Sequence, residues 1–239
     1  MTTFVLVHGA FHGGWCWSRV AGHLRAGGHT VFTPTQTGLG DRRHLLSADI
    51  TLDTFIDDIC AVMDTEELQD AVLVGHSFGG ISITGVADRM PERLRHLIYL
   101  DSRILEAGQS MLDADPERSG AWKRIAQDGD GLSIPPPPAT YFDCPDPADV
   151  AWIARRLTPH PLGTFTGPLN LANATIGNGR PCTYVACTDP VYPWLEPCRT
   201  WARGRRGWNW AEIAAGHDAM VSAPGELTAL LARIAQVGG

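Results

Sequence analysis

Several features are missing from this 239-residue sequence, and each absence removes a class of protein. No apolar run approaches the roughly 18 residues that a membrane span needs. The N-terminus lacks the basic and apolar segments of a secretory signal. The six cysteines form no C-x-x-C pair, which disfavours a zinc site or a disulfide framework. We therefore expect a cytoplasmic protein with reduced thiols and no membrane partner.

Concentrated positive charge is also missing. The 19 Lys and Arg residues are outnumbered by 26 Asp and Glu, so the formal net charge is −7. The one basic cluster, residues 203–206, is short. Because binding to a phosphate backbone needs many cations on one surface, we expect no nucleic-acid partner. Length and a 44% hydrophobic composition predict a single domain over residues 1–239.

Short apolar runs alternate with amphipathic stretches along most of the chain. The runs are rich in β-branched residues and are bounded by glycine, proline or polar residues, as buried strands are. Residues 52–63 repeat apolar side chains at helical spacing, which predicts one buried helix face. This alternation is typical of a parallel sheet with helices on both faces. The predicted strands are 4–7, 30–32, 71–74, 97–100, 182–188 and 208–213.

Residues 103–180 break the alternation. Four consecutive prolines at 135–138 cannot donate backbone hydrogen bonds, so this segment is not central sheet. Its large aromatic residues argue against a disordered linker. We predict an inserted cap with one or two helices, for example over residues 150–157.

A serine lies between glycines directly after one predicted strand. Gly75-His-Ser-Phe-Gly79 matches G-x-S-x-G, and a plausible helix follows it. In a nucleophile elbow the serine occupies a strained turn between strand and helix, and small flanking residues relieve the crowding. The pattern favours Ser77 as a nucleophile over the alternative, an ordinary glycine-rich turn.

A serine nucleophile needs a base, usually a histidine that a carboxylate orients. His217 follows the last predicted strand, at the sheet edge where catalytic loops gather, and is the best of nine histidines. Two carboxylates compete for the third role. Asp189 follows the strand over 182–188 and is favoured by chain order; Asp101, at the end of the strand over 97–100, is its main rival.

A developing oxyanion would need backbone N–H donors. The amide of Phe78, directly after the serine, is one candidate. The second should come from Ala10 or Phe11, in the glycine-rich loop after the first strand. That loop lacks the spacings typical of phosphate-binding loops.

The segments FVLVHGAFHGGWCW, VLVGHSFGG, YLDS and AAGHDAMVSAP together resemble the α/β-hydrolase superfamily. The likeness is to its small branch of bacterial EstC-like esterases, plant methylesterases and hydroxynitrile lyases. This resemblance implies a three-layer α/β fold with a mostly parallel six-strand sheet and a helical cap insertion. It also implies no cofactor or metal, and the triad Ser77, Asp189 and His217.

Two positions argue against the lyase members of this branch. Those enzymes carry a threonine after the first histidine of the loop and a lysine after the catalytic histidine. Here the residues are Gly9 and Asp218. Because no cation would stabilise a departing cyanide, the resemblance favours an esterase.

We therefore expect a serine hydrolase that cleaves a small-molecule carboxylic ester or lactone through an acyl-enzyme. One alternative is an acyl transferase, cyclase or lyase that uses the same residues on a natural product. Another is a non-catalytic small-molecule receptor, because a fold alone does not determine function. The sequence is compatible with a homodimer but does not determine the oligomeric state. Four cap aromatics are candidate walls of the substrate pocket: Trp122, Tyr141, Trp152 and Phe165.

Overall fold

The computed structural model describes residues 1–173 and 175–237. Residue 174, within the predicted cap, and residues 238 and 239, within the predicted domain, lie outside the described residues. The strands are β1 Thr3–Val7, β2 Thr30–Phe32, β3 Ala71–His76, β4 Leu94–Leu100, β5 Ser133–Ile134, β6 His160–Pro161, β7 Cys182–Cys187 and β8 Trp208–Ile213. The helices are α1 Ser18–Ala26, α2 Leu52–Thr65, α3 Gly79–Arg89, α4 Met111–Ala114, α5 Pro116–Asp128, α6 Pro147–Ala154, α7 Gly163–Thr166, α8 Glu196–Gly204, α9 Ala219–Ser222 and α10 Pro224–Val237.

Six strands form one sheet in the order β2-β1-β3-β4-β7-β8, and all neighbouring pairs are parallel. The predicted fold class is thereby confirmed, and each predicted strand of the sheet is present. In such a sheet the carboxyl ends of all strands meet at the same edge. The loops after β1, β3, β4 and β8 therefore gather there.

The sheet separates two apolar cores. Alternate side chains of each strand point to opposite faces, so Val5 and Leu73 pack on the side of α2 and α3, whereas Phe4 and Val72 face α1 and α10. The central strand β3 is buried along its whole length. This two-sided burial explains why the strands are continuous apolar runs rather than alternating ones.

The helix predicted over residues 52–63 is present as α2. It begins at a capping box, in which the side chains of Thr51 and Thr54 each accept from the other residue's backbone N–H. Leu52, Phe55 and Ile59 of the predicted apolar face are buried against the sheet. The capping residues and the helical repeat together determine where this helix begins and which side it buries.

Between β4 and β7 the described residues form four α-helices, α4 to α7, and the antiparallel pair β5 and β6. This is more than the one or two helices expected, because short helices of four residues leave no periodic signal in a sequence. The predicted helix over 150–157 begins earlier, at Pro147, where Asp146 caps it. The segment covers the carboxyl edge of the sheet. No helix in the described ranges is both long and apolar enough to cross a bilayer.

Two helical glycines test the packing between α2 and α3. A Cβ added at Gly85 would lie 2.2 Å from Cδ1 of the buried Ile56, whereas one added at Gly22 of α1 would meet nothing within 4 Å. Alanine is the better helix former by about 0.5–1 kcal/mol at either site. We expect Gly22→Ala to raise the free energy of unfolding by about that amount, and Gly85→Ala to lower it by about 1–3 kcal/mol through overpacking.

Urea unfolding of the two variants beside the parent protein measures both changes. Equal stabilisation by the two substitutions would show that α2 and α3 do not approach as closely as described.

Candidate active site

Ser77 occupies a strained turn between β3 and α3. Its φ is +51°, in the left-handed region that non-glycine residues rarely adopt. The backbone passes so closely here that a Cβ at Gly75 would lie 2.7 Å from the Gly79 carbonyl oxygen, and one at Gly79 would lie 2.7 Å from that of His8. Both flanking glycines are therefore required sterically. This is the geometry of a nucleophile elbow.

The structure brings Ser77 and His217 together across 140 residues of sequence. Nε2 of His217 lies 3.0 Å from Ser77 Oγ, and Nδ1 lies 2.7 Å from Oδ2 of Asp101. An ionised carboxylate can only accept, so Nδ1 carries the proton and Nε2 is left to accept from the serine hydroxyl. The ring of Tyr192 stacks on the imidazole with centroids 4.1 Å apart. Hydroxyl, imidazole and carboxylate thus form one continuous hydrogen-bonded line.

The preference for Asp189 as the carboxylate beside His217 is corrected by this geometry. Asp189 is exposed, and its backbone N–H donates to Ala215 at 3.2 Å. The partner of the imidazole is the rival, Asp101. Asp101 directly follows β4, which lies beside β3, whereas Asp189 comes after β7, one strand further away.

Asp101 is itself held from a second side. Its Oδ1 accepts from Nη2 of Arg199 at 2.7 Å and from the Cys187 amide at 3.3 Å. Arg199, on α8, is buried and also donates to the Tyr192 carbonyl at 2.9 Å. Burial opposes ionisation of Asp101, but His217 and Arg199 together hold its pKa below the ordinary value. No pattern in the sequence pointed to Arg199.

The two backbone amides expected to face an oxyanion are distinguished by their partners. The N–H of Phe11 is occupied, because it donates to Nδ1 of His160 at 3.2 Å. The amides of Ala10 and Phe78 donate to no acceptor within the described chain, and both residues line the cavity above Ser77. The sequence offered the amides of Ala10 and Phe11 as the second donor to an oxyanion. The Ala10 amide therefore remains a candidate, and the Phe11 amide does not.

Three histidines hold the loop that carries Ala10. His8 Nδ1 donates to the Gly9 carbonyl at 2.8 Å, and His12 Nδ1 donates to the Ala10 carbonyl at 2.8 Å. His160 accepts from the next amide, that of Phe11. Two successive peptide groups are thereby oriented by three imidazoles, two from this loop and one from β6. The sequence provided no reason to assign these three histidines to the active site. Their role in holding the loop is visible only from their contacts.

His12 is paired with a buried carboxylate. Its Nε2 donates to Oδ2 of Asp218 at 2.9 Å, and both side chains are almost fully buried. Burial disfavours the imidazolium, yet the charge of Asp218 and its hydrogen bond raise the pKa of His12 above the ordinary value. Asp218, the residue after His217, therefore points away from Ser77 and supports the loop instead.

A cavity of about 410 Å³ opens above Ser77 and His217. Three of the four predicted wall residues, Trp122, Tyr141 and Phe165, line it. The placement of Trp152 in this wall is wrong: it packs edge-on against Trp15, with ring centroids 5.0 Å apart, outside the cavity. Periodicity could not have shown this, because it does not give the direction of side chains in an irregular cap.

The chain belongs to the alpha/beta hydrolase family, whose model matches residues 4–230. It is 40% identical over 247 residues to the carbendazim hydrolyzing esterase of Nocardioides sp. (strain SG-4G), an alignment that covers 98% of this chain and all of that protein. It is 27% identical over 161 residues to methyl jasmonate esterase 1 of Vitis vinifera, which covers 65% of this chain and 60% of that protein.

A solved structure of an extracellular α/β-hydrolase from a Paenibacillus species resembles the fold with a TM-score of 0.85. That likeness, at 23% identity, covers 98% of each chain and supports the fold alone. The relatives confirm the predicted family branch. The esterases among them confirm the predicted enzyme class, a carboxylic ester hydrolase.

Two buried imidazoles make stability depend on pH. Burial lowers the pKa of His8 to about 4, and burial with the nearby His217 lowers that of His76 to about 3. An unfolded histidine takes up a proton as the pH falls through about 6.5. Between that pH and the pKa values of the folded protein, the unfolded state binds more protons. The protein therefore becomes less stable as the pH is lowered through this range.

Each of the two contributes about 1.4 kcal/mol per pH unit. Because an unfolded histidine is still partly neutral at pH 6, the two together should lower the free energy of unfolding by about 2 kcal/mol from pH 6 to pH 5, measured by urea unfolding. A flat profile across that interval would contradict the neutral, buried state of both rings.

Proposed function

We propose that this protein hydrolyses a small-molecule carboxylic ester through an acyl-enzyme, with Ser77 as nucleophile, His217 as base and Asp101 as the orienting carboxylate. The observation that carries the proposal is the continuous line from Ser77 Oγ through His217 to Asp101, at 3.0 and 2.7 Å. This is the arrangement in which a serine hydroxyl becomes nucleophilic at neutral pH.

In the first half-reaction Ser77 Oγ attacks the ester carbonyl carbon while Nε2 of His217 takes the hydroxyl proton. The carbonyl oxygen becomes an oxyanion, and the amides of Ala10 and Phe78 donate to it. The intermediate then breaks its bond to the alcohol oxygen, which receives the proton from Nε2. The products of this half are a free alcohol and an acylated Ser77.

In the second half-reaction water attacks the acyl carbon and gives its proton to Nε2. Collapse of the second intermediate breaks the bond to Ser77 Oγ, which takes the proton back, and releases the acid. Throughout, Asp101 balances the imidazolium charge without taking its proton. Arg199 keeps the carboxylate ionised and directed at Nδ1.

The cavity supports a substrate with a flat or bulky apolar part. Aromatic and proline side chains form much of its wall, and such apolar clefts with few polar groups are typical of small-molecule sites. The names of the relatives suggest test compounds, so we include carbendazim and methyl esters of aromatic and aliphatic acids, with lactones alongside, in the substrate panel.

Substitutions of the nucleophile test this proposal directly. We expect Ser77→Ala to reduce turnover of the best ester by about 10⁴- to 10⁶-fold, because the covalent step is lost. A serine-directed phosphonate should label the parent protein at Ser77, as read by peptide mass spectrometry. Near-normal turnover by Ser77→Ala would overturn the mechanism.

The choice between the two carboxylates has its own test. We expect Asp101→Asn to reduce turnover by about 10³- to 10⁴-fold, because the imidazole loses its orienting acceptor. The matched control Asp189→Asn, at an exposed position, should stay within about threefold of the parent. The opposite ranking of the two variants would return the role to Asp189.

A further inference from the structure

The described lining of the cavity carries two arginines, Arg103 and Arg118, and no carboxylate. Arg103 comes two residues after Asp101, and Arg118 lies on α5. The same lining includes apolar side chains such as Phe78 and Phe165. The cavity therefore combines cationic groups with a largely apolar wall.

Arg118 has its hydrogen-bonding capacity largely occupied. Its Nε and Nη2 contact Oδ2 of Asp115 at 2.7 and 2.6 Å, and its Nη1 donates to the Tyr141 hydroxyl at 2.7 Å. The guanidinium plane also lies over the rings of Trp122 and Trp194, at 4.7 and 4.4 Å from their centroids. Arg118 is thus a structural cation that holds this wall together.

Arg103 is different, because most of its donors are unused. Its Nη2 donates to Asp115 at 3.2 Å, but its Nε and Nη1 donate to no residue in the described part of the chain. The side chain is nevertheless only 8% exposed. Its own amide donates to the Ser77 carbonyl at 2.9 Å, and both residues line the same cavity.

An ion pair between Arg103 and Asp115 does not by itself account for this arrangement. Asp115 already receives two shorter contacts from Arg118, and two guanidinium groups against one carboxylate leave a net positive charge. Burying an incompletely paired cation is costly unless something compensates it. Burial opposes ionisation of Asp115, but Arg118 and Arg103 keep its pKa below the ordinary value, so it stays charged.

We propose that Arg103 forms a subsite for a carboxylate carried by the substrate, so that the preferred substrates are esters with a second, anionic group beside an apolar part. A carboxylate can accept two parallel hydrogen bonds from a guanidinium, which fits the unused donors of Arg103. The inference rests on the proposed function, since it assigns the ester group to Ser77 and the anionic group to this subsite.

Matched ester pairs test the subsite and show which half of the ester bears the carboxylate. For the acyl half, monomethyl terephthalate is compared with methyl 4-methylbenzoate. For the alcohol half, 4-acetoxybenzoate is compared with 4-methylphenyl acetate. Each pair differs only in a carboxylate against a methyl group, and kcat/KM is measured for all four esters.

The variants are Arg103→Met, Arg103→Lys and the control Arg156→Met. Arg156 stacks on Trp152 and does not line the cavity, so its loss removes a guanidinium without touching the site. In at least one pair, Arg103→Met should lower kcat/KM for the carboxylate ester by about 10- to 100-fold more than for its neutral partner, as expected for a charge-assisted hydrogen bond. Arg103→Lys should recover part of that difference, and Arg156→Met should change neither ester.

Equal losses on charged and neutral esters in both pairs would overturn the subsite while leaving ester hydrolysis intact. If the parent protein cleaves no ester of the panel, the proposed function fails instead. Binding then decides the subsite separately: calorimetry should show Ser77→Ala binding monomethyl terephthalate at least tenfold more tightly than methyl 4-methylbenzoate. Loss of that preference in Ser77→Ala/Arg103→Met would support the subsite, and equal affinities in Ser77→Ala would refute it.

Discussion

The carboxylate of Asp101 is the constraint on which the candidate site depends. One of its oxygens accepts from His217 and the other from Arg199, so the group cannot turn without losing a charged partner. That arrangement places the proton of the imidazole on Nδ1 and directs the lone pair of Nε2 to Ser77. Because the carboxylate is buried, each of these hydrogen bonds is stronger than it would be in water, and leaving either side unpaired would be costly.

A second constraint acts on the opposite wall. The loop after β1 holds the Ala10 amide free of any acceptor within the described residues, although unpaired amides are normally avoided in a protein interior. His8, His12 and His160 make this possible, because each binds a neighbouring backbone group and so prevents the loop from turning its amide away. The buried charge of Asp218 keeps His12 a donor on both ring nitrogens. Preorganised donors of this kind are what stabilise a developing oxyanion.

Much of the fold could be predicted from the sequence. The buried strands are continuous apolar runs and α2 has a regular apolar face, because burial imposes these local patterns. The glycines on either side of Ser77 could also be predicted, because the requirement for glycine at these positions is steric and local. The helices and loops of the cap could not be predicted in detail, because short helices and irregular loops leave no periodic pattern of apolar residues in the sequence. Trp152, a cap aromatic like Trp122, therefore could not be placed on or off the cavity wall in advance.

The sequence by itself determined the class of fold, the elbow at Ser77 and the choice of His217, since these follow from local pattern and from position after a strand. Only the tertiary structure decided that Asp101 rather than Asp189 lies beside the imidazole, and that Arg199 and Arg103 lie near the site. The physical reason is that strand order and loop direction arise from contacts between residues far apart in the chain. Hydrogen-bond partners over such separations leave no trace in spacing or composition.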